Sequence, residues 1–251
     1  IDNKAMQKEY IKNEYAKMWT QMREKEYKYS DYDKFLINLV EEEIKKNNKK
    51  KILEVCCGDG NPFAKKLIQK SDYFGIDISE HLINIAKKNY GEKYFKIDDA
   101  EKIELNSSFD IIICFHSLWY LPNYLQSLRE MKRLLKPNGY LIFDALNLKN
   151  LENIKEFEKL IFESKGFGKF TRYIKNFIKI LSGRGYAKWS DAIHHQPNDI
   201  EKIINIIEEA NSSQIIKLYG LNTKKNNISI LQNNEVEKIN SFSKIIFKCK
   251  K

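Results

Sequence analysis

The sequence predicts a doubly wound α/β sheet, and three observations carry that prediction. Between residues 51 and 145 short apolar runs alternate with amphipathic stretches at close spacing, the pattern of successive strand–helix units in a parallel sheet. The run Ile111-Ile112-Ile113-Cys114-Phe115 is apolar on both faces, as a central parallel strand should be. The first strand ends on Cys57-Gly58-Asp59-Gly60, a glycine turn leading into a helix start, where backbone can approach a ligand and N–H groups collect.

Taken in order, the chain opens with a helical pattern from Met6 to about Tyr29, carrying Tyr10, Tyr15, Met18, Trp19 and Met22. After Ser30-Asp31, the residues Phe35, Leu36, Leu39, Val40 and Ile44 mark a second helix. Lys51–Cys56 reads as a buried strand; Asn61 is the expected N-cap and Pro62 the first residue of the helix Phe63–Lys70. Tyr73–Ile78 is the second strand, and Ser79 caps the helix Glu80–Asn89. Tyr94–Ile97 and Asp110–Phe115 are strands three and four. The amphipathic helix Leu125–Leu135 stops at the turn Lys136-Pro137-Asn138-Gly139, and Tyr140–Ala145 is the fifth strand. Beyond it Leu148–Leu181 reads as helical and Tyr186–Pro197 as a loop. A helix Asn198–Ala210 comes next, then strands near Gln214–Tyr219 and Ser241–Lys248, with a weak one at Ile228–Leu231. One domain is expected, made of an N-terminal helical cover (1–49), a core (50–146), a lid insertion (147–197) and a closing helix and strands (198–251).

Composition excludes several classes. With 251 residues and 42% hydrophobic content the chain can bury a core, and with 10 Gly and 4 Pro it is neither collagen-like nor linker-dominated. No apolar run approaches the roughly 18 residues that span a bilayer, and the first residues show no apolar leader, so a cytoplasmic protein is expected. Cys56, Cys57, Cys114 and Cys249 form neither a disulfide framework nor a paired zinc motif, and no metal is expected.

The glycine turn gains meaning from the acidic residues that close the next two strands. A nicotinamide-type fingerprint would place a third glycine at position 63, where the chain has Phe63. Asp77 closes the second strand 21 positions after Cys56, where a carboxylate can accept hydrogen bonds from both hydroxyls of a ribose. Asp99-Ala100-Glu101 comes after the third strand. Together with Glu54, Phe109-Asp110-Ile111-Ile112 and Leu135–Gly139, this ordered series resembles the motifs of class I S-adenosylmethionine-dependent methyltransferases, most closely their small-molecule branch, over about residues 50–146.

The resemblance implies a Rossmann-like methyltransferase sheet and S-adenosyl-L-methionine as cofactor. Glu54 would then lie under the methionine end, with Gly58 and Gly60 giving backbone access. Asp77 would hold the ribose, Ile78 flank the adenine, Asp99 with Ala100 read its edge, and Phe115 complete the wall. Cys56 stands where the family often has glycine, which would bring its side chain into the pocket lining. The family's layout puts acceptor recognition in the N-terminal helices and in the insertion after the fifth strand, here Tyr15, Trp19, Arg172 and Tyr173, with Tyr120 on the pocket wall.

A hydroxyl acceptor benefits from a base, and histidine suits that task. His116 lies just past the fourth strand at the ligand-binding edge, and the pair His194–His195 comes after the insertion; these three are the candidate bases. His81 is expected to face solvent. The adjacent histidines lack further zinc ligands at recognisable spacing.

The net charge of +10 is localised. Residues 163–188 hold seven bases against one acid, interleaved with Phe167, Phe170, Tyr173 and Phe177; residues 213–251 hold eight lysines against two acids. Such an insertion suits an anionic small-molecule acceptor, and also a surface helix near a lipid-linked one. Nucleic acid ranks second, because the amino-methylase tetrapeptides and a Pro-Cys nucleophile are absent. The expectation is a methyltransferase acting on oxygen, ahead of nitrogen, of a small polar anionic metabolite or a sugar or surface-polysaccharide precursor. Its rivals are an RNA methyltransferase and a cofactor-binding protein without catalysis.

Overall fold

The computed structural model describes residues 3–17, 20, 30–46, 50–147, 198–209, 213–222, 227–231, 236–239, 241–242 and 244–251. Among the described residues two helices come first: α1 (Asn3–Tyr10), continued by a π-helical turn Ile11–Tyr15, and α2 (Asp31–Lys45). The core then runs β1 (Lys51–Val55), α3 (Ala64–Leu67), β2 (Asp72–Asp77), α4 (Glu80–Tyr90), β3 (Phe95–Ile97), β4 (Phe109–Cys114), α5 (Tyr124–Leu134) and β5 (Leu135–Leu146). It closes with α6 (Ile200–Glu208), β6 (Gln214–Asn222), β7 (Asn227–Leu231), α7 (Val236–Ile239) and β8 (Lys244–Lys250).

The strands form one sheet in the order β3-β2-β1-β4-β5-β8-β6-β7. β3, β2, β1, β4 and β5 pair in parallel, so the chain winds outward from β1 one way and from β4 the other, as the alternation predicted. The three later strands pair antiparallel and make the sheet mixed.

Side-chain alternation along the central strands builds two cores. Leu53, Val55, Ile112 and Cys114 face one side, against Leu128, Met131 and Leu134 of α5 and Ile203, Ile206 and Ile207 of α6. Ile52, Ile111 and Ile113 face the other, against Leu36, Leu39 and Val40 of α2, Leu67 of α3 and Ile83 and Ala86 of α4. The helices start where their caps dictate. Ser30 and Asp33 form a capping box at α2; Ser79 accepts from the Leu82 N–H at α4, and Asp199 from the Lys202 N–H at α6. Lys248 of β8, 3% exposed, pins α2 to the sheet by pairing at 2.6 Å with Glu43, which is 1% exposed and also takes Lys46 at 2.7 Å.

Two local expectations are corrected. Asn61 does not cap a helix: the Asn61–Pro62 peptide is cis, the Asn61 side chain accepts from the Tyr90 hydroxyl at 2.8 Å, and α3 begins after Phe63 without a side-chain cap. The helix before Lys136–Gly139 does end, at Leu134, but these residues are a bulge within β5 and not a turn ahead of a separate strand. The register jumps from Phe109↔Leu135 to Ile111↔Tyr140, with Asn138 at φ 62° donating to the Lys251 carbonyl at 2.8 Å.

Candidate active site

The site lies at the carboxyl ends of the parallel strands, where β1 and β4 part company in the winding order. After β1 the backbone passes through three left-handed residues, Cys56 (φ 62°), Gly58 (φ 55°) and Gly60 (φ 84°). Cys57 N–H donates to the Ile76 carbonyl at 2.9 Å, which ties the turn to β2. A Cβ at Gly58 would meet only Leu82, at 3.9 Å, so the φ value and not crowding demands glycine there.

Cys56 pays the steric cost that glycine would avoid, about 1–2 kcal/mol for a residue with a Cβ in this region. Cys56→Gly is therefore expected to be about 1 kcal/mol more stable than Cys56→Ala, read from denaturant midpoints at unchanged slope. Equal stabilities would show that no strain resides at this position.

Asp77 anchors the turn from the next strand. Its Oδ2 accepts the Gly58 N–H at 3.0 Å and its Oδ1 the Ser79 N–H at 2.9 Å. Burial pushes its carboxyl above the ordinary range, against the pull of those N–H groups. In front of it opens a cavity of about 80 Å³ with apolar walls from Ile78, Leu82 and Leu121. Cys56, Asp77, Ile78, Asp99, Ala100 and Tyr120, all anticipated from the sequence, line this one space. An apolar slot with one carboxylate at the β2 end and two more, Asp98 and Asp99, beyond β3 suits a nucleoside, whose base is flat and whose sugar offers two hydroxyls.

Glu54 sits behind the turn, buried, and takes the Tyr73 hydroxyl at 2.5 Å. Burial raises its pKa from 4.5 to about 8, with Asp59 and Asp77 pushing the same way and Tyr73 opposing. The folded chain holds this proton more tightly than the unfolded chain, so stability falls as pH rises from about 4.5 to about 8. Between about pH 5 and 7.5 the loss attributable to Glu54 is about 3 kcal/mol, and Glu54→Gln should remove it, giving a flatter profile of denaturant midpoint against pH.

His116 follows β4 in a left-handed conformation (φ 57°), held from three directions. Its backbone N–H donates to Asp144 Oδ1 at 2.7 Å, its Nε2 lies 2.9 Å from Asp33 Oδ1, and its Nδ1 lies 3.6 Å from Asp144 Oδ2. Asp144 Oδ2 also accepts the Tyr32 hydroxyl at 2.9 Å. The imidazole is edge-on to Tyr32 (5.4 Å) and Trp119 (6.5 Å) and stacks over Phe63 (6.0 Å). Asp33 serves two purposes, since its other oxygen closes the capping box with Ser30. Helix α2 thereby carries a carboxylate to a histidine at the carboxyl end of β4.

One expected cofactor contact is corrected. Phe115 is buried against Phe63, ring centroids 4.9 Å apart, in the core on the opposite face from the cavity. Strand alternation explains it: Cys114 takes the side shared with Cys56, so Phe115 must take the other. Trp19, Arg172, Tyr173, His194, His195 and the side chain of Tyr15 lie outside the described residues. His81 is exposed, as expected, with its Nε2 3.0 Å from Thr20 Oγ1. The cavity also contains residues that the sequence did not single out: Lys8, Ile11, Ile76, Leu82, Asp98, Ser117, Leu121 and Pro122. Leu82, three residues after the Ser79 cap, could have been placed from the helix start; Lys8 carries no local signal at all.

Comparison with known proteins agrees with this geometry. The profile of a methyltransferase domain family matches residues 46–211. A demethylmenaquinone methyltransferase of Staphylococcus aureus is 31% identical over 120 residues, 45% of this chain and 50% of that relative, so the match spans about half the length of the curated relatives. Among solved structures, the magnesium protoporphyrin IX methyltransferase of Synechocystis PCC 6803 with bound SAH superposes with a TM-score of 0.57 at 14% identity, covering 100% of both chains. The N-methyltransferase NodS of Bradyrhizobium japonicum, in complex with S-adenosyl-L-homocysteine, gives 0.55 at 13% identity over 100% of this chain and 98% of its own. On the profile match, with a strand-end carboxylate and an apolar slot in one pocket beside the glycine turn, the chain belongs to the methyltransferase domain family, with the class I fold that binds S-adenosylmethionine.

Proposed function

We propose that this chain transfers the methyl group of S-adenosylmethionine to oxygen, in preference to nitrogen, of a small polar anionic metabolite or a sugar or surface-polysaccharide precursor. The observation that carries the reading is His116 at the carboxyl end of β4, whose Nε2 is held by Asp33 at 2.9 Å while Nδ1, 3.6 Å from Asp144 Oδ2 and beyond hydrogen-bond distance, is the nitrogen left to take a proton. An amine acceptor needs only to be neutral, whereas a hydroxyl gains from a nearby proton acceptor. The bound sulfonium supplies an activated methyl group, and the remaining work is placement. Asp77 holds the sugar, Ile78 and Leu82 sandwich the base, and Asp99 and Ala100 meet its edge. Ser117, the next residue along the chain, is part of the cavity wall, while the His116 ring packs against Phe63, so this reading has the acceptor hydroxyl enter between the two. His194 and His195 remain alternative bases.

An anionic acceptor is supported by Lys244, whose Nζ lies 4.7 Å from the Trp119 ring centre and 5.2 Å from that of Tyr32. Both rings flank His116, so a cation, two aromatic rings and a histidine lie together at the carboxyl end of β4.

The test is incorporation of labelled methyl groups from S-adenosylmethionine into a fractionated cell extract. Label in small anionic compounds, released as an O-methyl product, is the expected result; label in RNA would overturn the substrate class. Once an acceptor is found, His116→Ala should lower turnover by a factor of about 100 at saturating cofactor while leaving cofactor affinity within about twofold. Unchanged turnover in His116→Ala, His194→Ala and His195→Ala would remove the histidine base altogether.

A further inference from the structure

The first helix reaches the cofactor slot through a single charged side chain. Lys8 Nζ lies 2.8 Å from Asp99 Oδ2 and 2.8 Å from Glu101 Oε2, and the lysine is itself part of the cavity wall, as is Ile11. Both carboxylates are otherwise built into the chain: Asp99 Oδ1 accepts the Glu101 N–H at 2.9 Å, and Glu101 Oε1 accepts the Asn123 N–H at 2.8 Å, just ahead of α5. Each acid therefore has one oxygen fixed by backbone and the other by Lys8. Two like charges two residues apart repel, and the ammonium between them is what lets both stay at the rim of the slot. Farther along the same N-terminal segment, Ala16 is fully buried and Thr20 touches His81 at the start of α4. Lys8 and Ile11 thus put the N-terminal segment on the cavity wall beside the loop after β3.

We propose that Lys8 is a positioning residue for the cofactor, holding Asp99 at the adenine edge and fastening the first helix across the slot, so that release of spent cofactor requires the Lys8–Asp99–Glu101 bridge to open. The proposal rests on the assignment of Asp99 to the base edge. It makes the grip on adenine depend on a residue 91 positions away in sequence, outside the strand-end loops.

S-adenosylhomocysteine is the probe, with affinity measured by calorimetry and release by stopped-flow displacement for the wild type, Lys8→Met and Lys8→Arg. Lys8→Met should raise Kd roughly fivefold, almost wholly through faster release, the scale of a partly exposed ion pair. Lys8→Arg should stay within about twofold of wild type, because the guanidinium can still bridge two carboxylates. Raising salt from about 0.05 M to about 0.5 M should weaken wild-type binding toward that of Lys8→Met and leave the variant nearly unchanged. S-inosylhomocysteine, whose base carries an oxygen where adenine has an amino group, separates positioning from simple coverage: the preference for adenine should narrow in Lys8→Met. Wild-type affinity and release in Lys8→Met, or equal losses in Lys8→Met and Lys8→Arg, would overturn the role of Lys8. Failure of the wild type itself to bind the probe would instead overturn the cofactor assignment.

Discussion

Asp77→Ala is expected to raise the dissociation constant for S-adenosylmethionine at least about 100-fold, a loss of about 3 kcal/mol or more. Two effects combine. The carboxylate is the anionic group at the β2 end of the slot, and a hydrogen bond from a sugar hydroxyl to a charged acceptor is worth about 1.5–3 kcal/mol. The same two oxygens also accept the Gly58 and Ser79 N–H groups, so truncation leaves two backbone donors without their partner and loosens the turn after β1. Asp77→Asn separates the effects. Its amide oxygen can keep one backbone bond while the charge is lost, and about a tenfold weakening is expected. Calorimetric titration checks both values; an Asp77→Ala Kd within about threefold of wild type would remove Asp77 from the cofactor site.

The second large effect lies away from the pocket. Lys248→Ala should destabilise the fold by about 3–5 kcal/mol, because it leaves Glu43 buried at the α2–sheet contact with only Lys46 to compensate it. The double change Lys248→Met with Glu43→Leu should recover most of that loss, since matched apolar residues can replace a buried pair at little cost. The pair also sets an acid limit. Although burial alone pushes the Glu43 carboxyl up, its bonds to Lys248 and Lys46 outweigh it and hold the group below the usual 4.5. Its stabilisation is therefore present above about pH 4.5 and lost as pH falls through the depressed value. The wild type should show this acid transition by circular dichroism, and the double variant should lack its contribution. Because α2 carries Tyr32 and Asp33 to His116, Lys248→Ala should also reduce turnover through a residue that touches no ligand.

The parallel half of the sheet was legible because each of its strands is short, apolar and followed by a helix with its own start signal; Ser79 before α4 is the clearest. The cavity was legible for a related reason. Cys56 at the turn after β1, a strand-end aspartate and an Asp-Ala pair fall at the carboxyl ends of consecutive strands, so chain order alone gathers them. What could not be read depends on facing or on distance. β4 is apolar on both sides, so nothing in the residue types said that Phe115 would point at Phe63 and away from the slot. Asn61-Pro62 has the composition of a helix start, yet the hydroxyl of Tyr90 claims the asparagine side chain. Lys8 and Asp33 reach the site from helices that pack across the sheet edge, and long-range ion pairs leave no periodic trace. Asp144 was hidden within an apolar strand, where a lone acid is the one residue out of keeping; that is a signal, and it marks a partner of His116.

The strand order has a consequence for how the molecule is made. β8 sits between β5 and β6, although β6 and β7 precede it along the chain. As the polypeptide emerges from the ribosome, β5 is exposed with one flank unpaired while roughly a hundred further residues are synthesised, and the β6–β7 hairpin has no neighbour to join. Only when β8 slots between them does the sheet knit together. Nascent chains stalled before that strand should therefore be captured by holdase chaperones and cut readily by protease, and chains stalled well beyond it should resist both.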